Sequence, residues 1–160
     1  KKRMPKQQAP SLMGRALRYL SRREHSRQEL RKKLLPYAES DIELDELMVK
    51  LEAQSWLSDE RFAESLVRRK SERYGSLKIV DELKQQGIEG DSLLEIKERL
   101  KISDATRAWE LWQRKFDSIV TKDPKEKSKQ MRYLVSKGFP LSVVTRIVDG
   151  RFSPSEEDSQ

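Results

Sequence analysis

The strongest restriction on the fold of this chain is a helical pattern that recurs every 46 to 51 residues. Residues 20–23, 66–69 and 112–115 each begin with a large apolar side chain and end in two basic ones, at a constant offset of 46. Residues 83–88 and 134–139 align at an offset of 51, with leucine first and glycine fifth in both. Repeats of this size stack on their neighbours along the chain. The pattern predicts an all-α fold of three tandem three-helix repeats, about nine helices, forming an elongated, curved helical array.

The second repeat illustrates the helix signals. Ser58 stands where it can cap a helix whose apolar residues, Phe62 and Leu66, recur at helical spacing. Gly75 is expected to end that helix in the left-handed conformation, and Ser76 to cap the next one. The stretch therefore predicts a helical hairpin with a tight Gly-Ser corner.

Other helix starts follow from capping signals. Ser26 with Glu29, and Ser40 with Glu43, have the spacing of a capping box. Asp104 is expected to cap a seventh helix. The three predicted repeats are residues 11–57, 58–103 and 104–150. Residues 1–10 are expected to form a disordered basic arm, and residues 151–160 a polar tail.

Composition supports the helical interpretation and excludes some classes of protein. Charged residues make up 38% of the chain and hydrophobic ones 35%, which suits helices with narrow apolar stripes. The chain has no cysteine, so it has neither a disulfide nor a thiolate metal site. No apolar run approaches the ~20 residues of a membrane span, and the basic start precedes no signal-peptide core. A soluble cytoplasmic protein without membrane association is expected.

The charge distribution favours acidic partners. The net charge is +7 and the pI about 9.6, which indicates nucleic acid or an acidic protein surface. Residues 1–33 contain twelve Lys or Arg and two acidic residues, whereas residues 34–60 contain eight acidic residues and one lysine. This alternation predicts basic and acidic faces along the array.

The sequence shows no group of residues arranged for catalysis. His25 is the single histidine and falls at a corner between helices, where a turn or cap role is expected. The glycines stand singly, so no phosphate-binding loop is formed. Trp109, Trp112 and Phe116 form an aromatic stripe at helical spacing, which is more typical of core packing than of base stacking. We expect a non-enzyme with no cofactor and no metal.

Two groups of residues resemble the motifs of a known family. The first repeat contributes Ala16-Leu17, residues 20–26, Glu29-Leu30 and Lys33-Leu34; the second contributes residues 56–63, Arg68, Tyr74-Gly75, Ile79, Glu82-Leu83 and Gly87-Ile88. This arrangement resembles the signature of the bacterial regulatory protein RecX family and covers about residues 11–150. Trp56 stands where the family more often has tyrosine, and Ser58 where it commonly has aspartate. The third repeat matches least closely.

The resemblance implies a function that composition does not show. Members of this family modulate the RecA recombinase, usually by inhibition, and so act in DNA repair and the SOS response. They bind in the helical groove of the RecA–single-stranded DNA filament and reduce ATP hydrolysis, strand exchange and co-protease activity. The expected partners are therefore the RecA filament, the single-stranded DNA within or beside it and, more weakly, double-stranded DNA. The protein is expected to be a monomer.

The candidate partner- or DNA-binding residues are the outward basic groups that recur near the end of each repeat's first helix. They are Arg18, Arg22, Arg23, Arg68, Arg69, Lys70, Arg73, Arg114 and Lys115. The alternative is a direct DNA-binding protein built from tandem helix-turn-helix-like units. Its nearest candidate for base reading, residues 84–86, lies at the end of a predicted helix and not at the start, where a recognition helix contacts bases.

Overall fold

A computed structural model describes residues 9–117 and 119–154, and within these ranges the chain contains helices and no strand. The all-α prediction is confirmed. The eight α-helices of the described part are α1 (Leu12–Arg22), α2 (Arg27–Leu34), α3 (Asp41–Ala53), α4 (Asp59–Lys70), α5 (Ser76–Gln85), α6 (Gly90–Phe116), α7 (Pro124–Ser136) and α8 (Leu141–Val148), with one 3₁₀ turn at Leu35–Tyr37. Most of the predicted basic arm and tail, residues 1–8 and 155–160, lies outside the described residues.

The helix starts agree with the capping signals at three positions. Ser26, Ser40 and Ser58 each accept the backbone N–H of the residue three positions on, at 3.0 to 3.2 Å. In a complete capping box, the Glu29 carboxylate would also accept the backbone N–H of Ser26. Here that carboxylate pairs instead with Arg23 at 2.7 Å. Local sequence therefore sets where these helices begin.

The chain divides into two compact units, Lys1–Phe62 and Ala63–Gln160, which are described separately. In the first unit, α1, α2 and α3 enclose a core of aliphatic side chains: Ala16, Leu30, Leu34, Leu44, Leu47, Met48, Leu51 and Leu57. Ion pairs on its surface include Arg27 with Glu52 at 2.6 Å and Arg61 with Glu24 at 2.9 Å. Exposed pairs of this kind contribute little, so burial of the aliphatic core accounts for most of the stability.

His25 is buried at the corner between α1 and α2, with 1% of its surface exposed. Its Nε2 lies 2.9 Å from the Lys33 ammonium, which can only donate, so Nε2 accepts. Nδ1–H then donates to the Arg23 carbonyl at 3.0 Å. Burial lowers the pKa of His25 below its ordinary value, and the charges of Arg23 and Lys33 act in the same direction. The imidazole is therefore a neutral structural group.

This lowered pKa makes the first unit less stable in mild acid. The unfolded chain binds a proton on His25 near pH 6.5, whereas the folded chain does so only at lower pH. The stabilisation is present above pH 6.5 and is lost as the pH falls towards the folded pKa, by at most ~1.4 kcal/mol per pH unit. Urea unfolding at pH 7.0 and 5.5, followed by circular dichroism, measures this loss. In His25→Gln the loss should be smaller; an equal loss in both proteins would contradict the assignment.

The second unit is built on α6, which packs against α5, α7 and α8. Its first half buries Leu93, Ile96 and Leu100. Its second half joins a core that comprises Ala105, Ala108, Leu111, Trp112, Leu134, Phe139, Val144, Ile147, Val148 and Phe152. The aromatic stripe is core, as predicted: the buried Trp112 donates its indole N–H to the Gln130 side chain at 2.8 Å, and Trp109 and Phe116 pack against the same cluster.

The predicted start of a seventh helix at Asp104 is wrong, because α6 continues unbroken through that residue. This is why the described residues contain eight α-helices where about nine were expected. Asp104 is 1% exposed and its carboxylate accepts the Ser76 backbone N–H at 2.9 Å and the Ser76 hydroxyl. It thus satisfies a free N–H at the start of α5. Ser76, predicted to be the cap of α5, is its first helical residue, and the Asp104 carboxylate takes the capping role.

Arg107 completes this buried polar group. Its guanidinium donates to Asp104 at 2.7 Å and to the carbonyls of Ser71 and Tyr74, with 13% of the side chain exposed. The two carbonyls lie in the corner after α4, where helical hydrogen bonding ends. One Asp–Arg pair on α6 therefore holds both sides of the α4–α5 corner.

Candidate functional site

The α4–α5 corner touches the turn between α7 and α8 through two glycines. Gly75 N donates to the Lys137 carbonyl at 2.8 Å, and Leu77 N donates to the Gly138 carbonyl at 3.0 Å. Gly138 has φ +95°, as expected for the residue that ends α7, but the left-handed conformation predicted for Gly75 is wrong, since its φ is −83°. Gly75 is required for another reason: a Cβ there would meet the Gly138 carbonyl and lie 2.6 Å from Phe139 N.

This contact assembles a group of lysines around two tyrosine rings. The ammonium groups of Lys78, Lys70 and Lys137 lie 4.8, 5.3 and 5.5 Å from the Tyr74 ring centroid. Those of Lys115 and Lys137 each lie 5.5 Å from the Tyr133 centroid. We call this group the lysine–tyrosine surface; it comprises Lys70, Tyr74, Lys78, Lys115, Tyr133 and Lys137.

Three helix C-termini explain why lysines occupy these positions. Lys70 and Lys115 lie in the last turns of α4 and α6, and Lys137 is the C-cap of α7. Each helix end carries a partial negative charge of about half an electron, which attracts a cation. The ammonium groups also lie within cation–π range of the rings. Helix ends and ring faces together hold four positive charges close to one another.

Few carboxylates neutralise this surface. Lys70 lies 3.8 Å from Glu82. Lys78 approaches the Ser136 carbonyl at 3.5 Å, and within the described ranges Lys78, Lys115 and Lys137 form no ion pair with a carboxylate. The surface therefore has an excess of positive charge that is available to an anionic partner.

Two of the candidate basic residues of the second unit belong to this surface, and two more lie beside it in the chain or at the same corner. Lys70 and Lys115 belong to it, and Arg114 donates to the Glu72 carbonyl of the α4–α5 corner at 3.2 Å. Arg73, next to Tyr74, is exposed, as are Arg68 and Arg69. The structure thus brings Lys70 and Lys115, from two predicted repeats, into one surface. Whether they contact a partner stays a prediction.

The candidate residues of the first unit form a second, smaller group. Arg18 and Arg22 are exposed on α1. Arg23, also exposed, makes two hydrogen bonds to Glu29 at 2.7 and 3.0 Å. This pairing raises the pKa of Arg23 and lowers that of Glu29, although burial of Glu29 opposes its shift. Part of the charge of Arg23 is therefore neutralised within the protein.

The predicted contact residues did not include Lys78, Tyr133 or Lys137, although Lys78 was expected to face water, and Tyr74 was assigned only to a motif. One local signal was available: Tyr133 and Lys137 are four residues apart, and side chains at this spacing on a helix are neighbours. No local signal connects Tyr74 with Lys137. That connection depends on the Gly75–Gly138 contact.

Across residues 9–117 and 119–154, no cluster of three or more His, Cys, Asp or Glu side chains is arranged to hold a metal ion. None of the helices in these ranges has the length and apolar character required to cross a membrane.

Comparison with known proteins identifies three consecutive matches to family profiles. Residues 13–42 match "RecX, first three-helix domain". Residues 58–92 match the second three-helix domain of RecX, and residues 103–148 match the third. The "Regulatory protein RecX" of Ralstonia pickettii (strain 12J) is 48% identical over 148 residues, which cover 92% of each chain. That of Ralstonia nicotianae is also 48% identical, over 88% of this chain and 87% of the relative.

Solved structures show the same fold. One "Crystal structure of regulatory protein RecX" superimposes with a TM-score of 0.70 at 25% identity, over 86% of this chain and 71% of the other. The crystal structure of RecX from Lactobacillus salivarius gives 0.67 at 22% identity, over 93% and 96% of the two chains. The second likeness concerns the fold alone.

Proposed function

This chain belongs to the RecX family of regulatory proteins, and from that premise we propose that it binds the RecA–single-stranded DNA filament in its helical groove and inhibits RecA. The processes affected are ATP hydrolysis, strand exchange and co-protease activity. The observation that carries the proposal is the ordered match of all three family domains, together with 48% identity over 92% of a relative named as a regulatory protein. The protein acts as a cytoplasmic monomer, without enzymatic activity of its own.

The exposed basic residues support this proposal chemically. A nucleoprotein filament presents phosphates and acidic side chains, and a partner with net charge +7 is attracted to both. We assign the contacts to two groups: Arg18, Arg22 and Arg23 in the first unit; Arg68, Arg69, Lys70, Arg73, Arg114 and Lys115 in the second. Charges at the rim of an interface act mainly on the association rate and on salt dependence.

The test is a titration of RecA ATP hydrolysis on single-stranded DNA. We expect the protein to suppress hydrolysis at ratios well below one per RecA. The double reversal Arg68→Glu/Arg69→Glu should raise the half-inhibitory concentration about tenfold, equivalent to ~1.4 kcal/mol, because each exposed charge contributes up to ~1 kcal/mol.

The control is Lys125→Glu/Lys129→Glu, which makes the same change in net charge at exposed positions on α7. An equal loss of inhibition in both variants would mean that net charge and not position matters. Unchanged hydrolysis with the unmodified protein would contradict the proposal. If naked DNA is then bound tightly with steep salt dependence, the helix-turn-helix-like alternative takes its place.

A further inference from the structure

We propose that the lysine–tyrosine surface binds the phosphodiester backbone of single-stranded nucleic acid directly. The inference rests on the proposed function, since it names the component of the nucleoprotein filament that this surface meets. It differs from the helix-turn-helix-like alternative, because the surface consists of helix ends and a corner and includes no recognition helix. It can be tested without RecA, so its failure is distinct from failure of the proposed function.

The balance of charge at the surface favours an anion. Four lysine charges face the partial charges of three helix C-termini, about −0.5 each, and the carboxylate of Glu82. The positive charge exceeds the negative, and the exposed Arg73 and Arg114 beside the surface add to the excess. The helix ends therefore hold the lysines in place without cancelling them.

The lysines are also pre-arranged to donate hydrogen bonds. A cation–π contact orients an ammonium group over a ring but uses none of its three N–H donors conventionally. Lys137 illustrates this arrangement, at 5.5 Å from both ring centroids. Because the side chains are already positioned, less conformational entropy is lost when phosphate oxygens bind. Charge-assisted bonds of this type are the stronger class of hydrogen bond.

The combination of lysines with tyrosines distinguishes a single strand from other polyanions. Proteins that bind single strands combine a positively charged track with aromatic side chains that contact unpaired bases. Tyr74 and Tyr133 are half-buried beside the lysines, and Tyr133 also contacts Phe116. In a duplex the base faces are covered by stacking, and an acidic protein segment has no base to offer. Single-stranded nucleic acid therefore uses both components of the surface.

The test measures binding of the full chain to a fluorescein-labelled oligothymidylate by anisotropy, at several salt concentrations and without RecA. We expect Lys78→Gln/Lys137→Gln to weaken binding at 50 mM salt about tenfold or more. Two lost phosphate contacts should also reduce the slope of log K against log salt by ~1.4. Lys122→Gln/Lys125→Gln removes the same charge from exposed positions before α7 and in its first turn. It should change Kd less than about twofold, on the order of 0.4 kcal/mol or less.

Three results would overturn the proposal. The first is equal weakening by both double variants, which would indicate a general charge effect. The second is equally tight binding to a duplex of the same length. The third is competition by polyglutamate as effective as that by unlabelled oligothymidylate, which would assign the surface to an acidic protein partner. Unchanged circular dichroism and Tm in Lys78→Gln/Lys137→Gln confirm that the variant is folded. If that variant binds DNA normally while the unmodified protein suppresses RecA hydrolysis, only the surface assignment fails.

Discussion

Asp104→Ala is expected to lower the free energy of unfolding of the second unit by about 3–5 kcal/mol, the usual loss when one partner of a buried ion pair is removed. Asp104 is 1% exposed and accepts three hydrogen bonds, two from Ser76 and one from Arg107 at 2.7 Å. Its loss leaves the guanidinium of Arg107 without its carboxylate in a poorly solvated position. It also leaves the Ser76 N–H at the start of α5 unsatisfied.

Glu98→Ala is the matched control for this substitution. Glu98 lies on the same helix and pairs with Lys101 three residues on, the same spacing that joins Asp104 to Arg107. The Glu98 pair is exposed, so its removal should cost less than about 1 kcal/mol. Urea unfolding of the two variants measures the difference. Equal destabilisation would show that Asp104 is not a buried capping group for α5.

Gly75→Ala is expected to cost about 3 kcal/mol, although its backbone conformation suits any residue. The added Cβ would lie 2.6 Å from Phe139 N and closer to the Gly138 carbonyl, so two backbone segments must separate. Overpacking of this kind costs roughly 1–3 kcal/mol. The separation also weakens the two backbone hydrogen bonds between the corner and the turn, each contributing about 1 kcal/mol.

Gly90→Ala separates steric conflict from backbone strain. Gly90 has φ +70°, and no neighbouring atom lies within 4 Å of the place that a Cβ would take, so alanine there meets only the left-handed penalty of about 1–2 kcal/mol. We therefore expect Gly75→Ala to have the lower Tm of the two variants. The opposite order would contradict the close approach of the two turns and, with it, the assembly of the lysine–tyrosine surface.

Part of the candidate site follows from the sequence. The basic positions of the second unit were predicted from their recurrence, and Lys70 and Lys115 belong to the lysine–tyrosine surface. Lys78 and Lys137 were missed because neither belongs to the recurring basic groups. Lys78 lies 58 residues from the Ser136 carbonyl that it approaches, and local periodicity carries no information about such a contact.

The linear sequence was sufficient to establish the helical class, the apolar stripes, the serine caps of α2, α3 and α4, and the family. The helical class, the apolar stripes and the caps depend on side chains within about one helical turn of one another. The spacing of residues along the sequence therefore predicts them. The roles of Asp104 and Gly75 became visible only in the folded protein. The capping acceptor for α5 comes from a helix 28 residues further along the chain, and Gly75 is constrained by the backbone of another turn. The energies of both contacts arise from groups that meet only after the helices pack, so the local sequence predicted a new helix at one position and a left-handed glycine at the other.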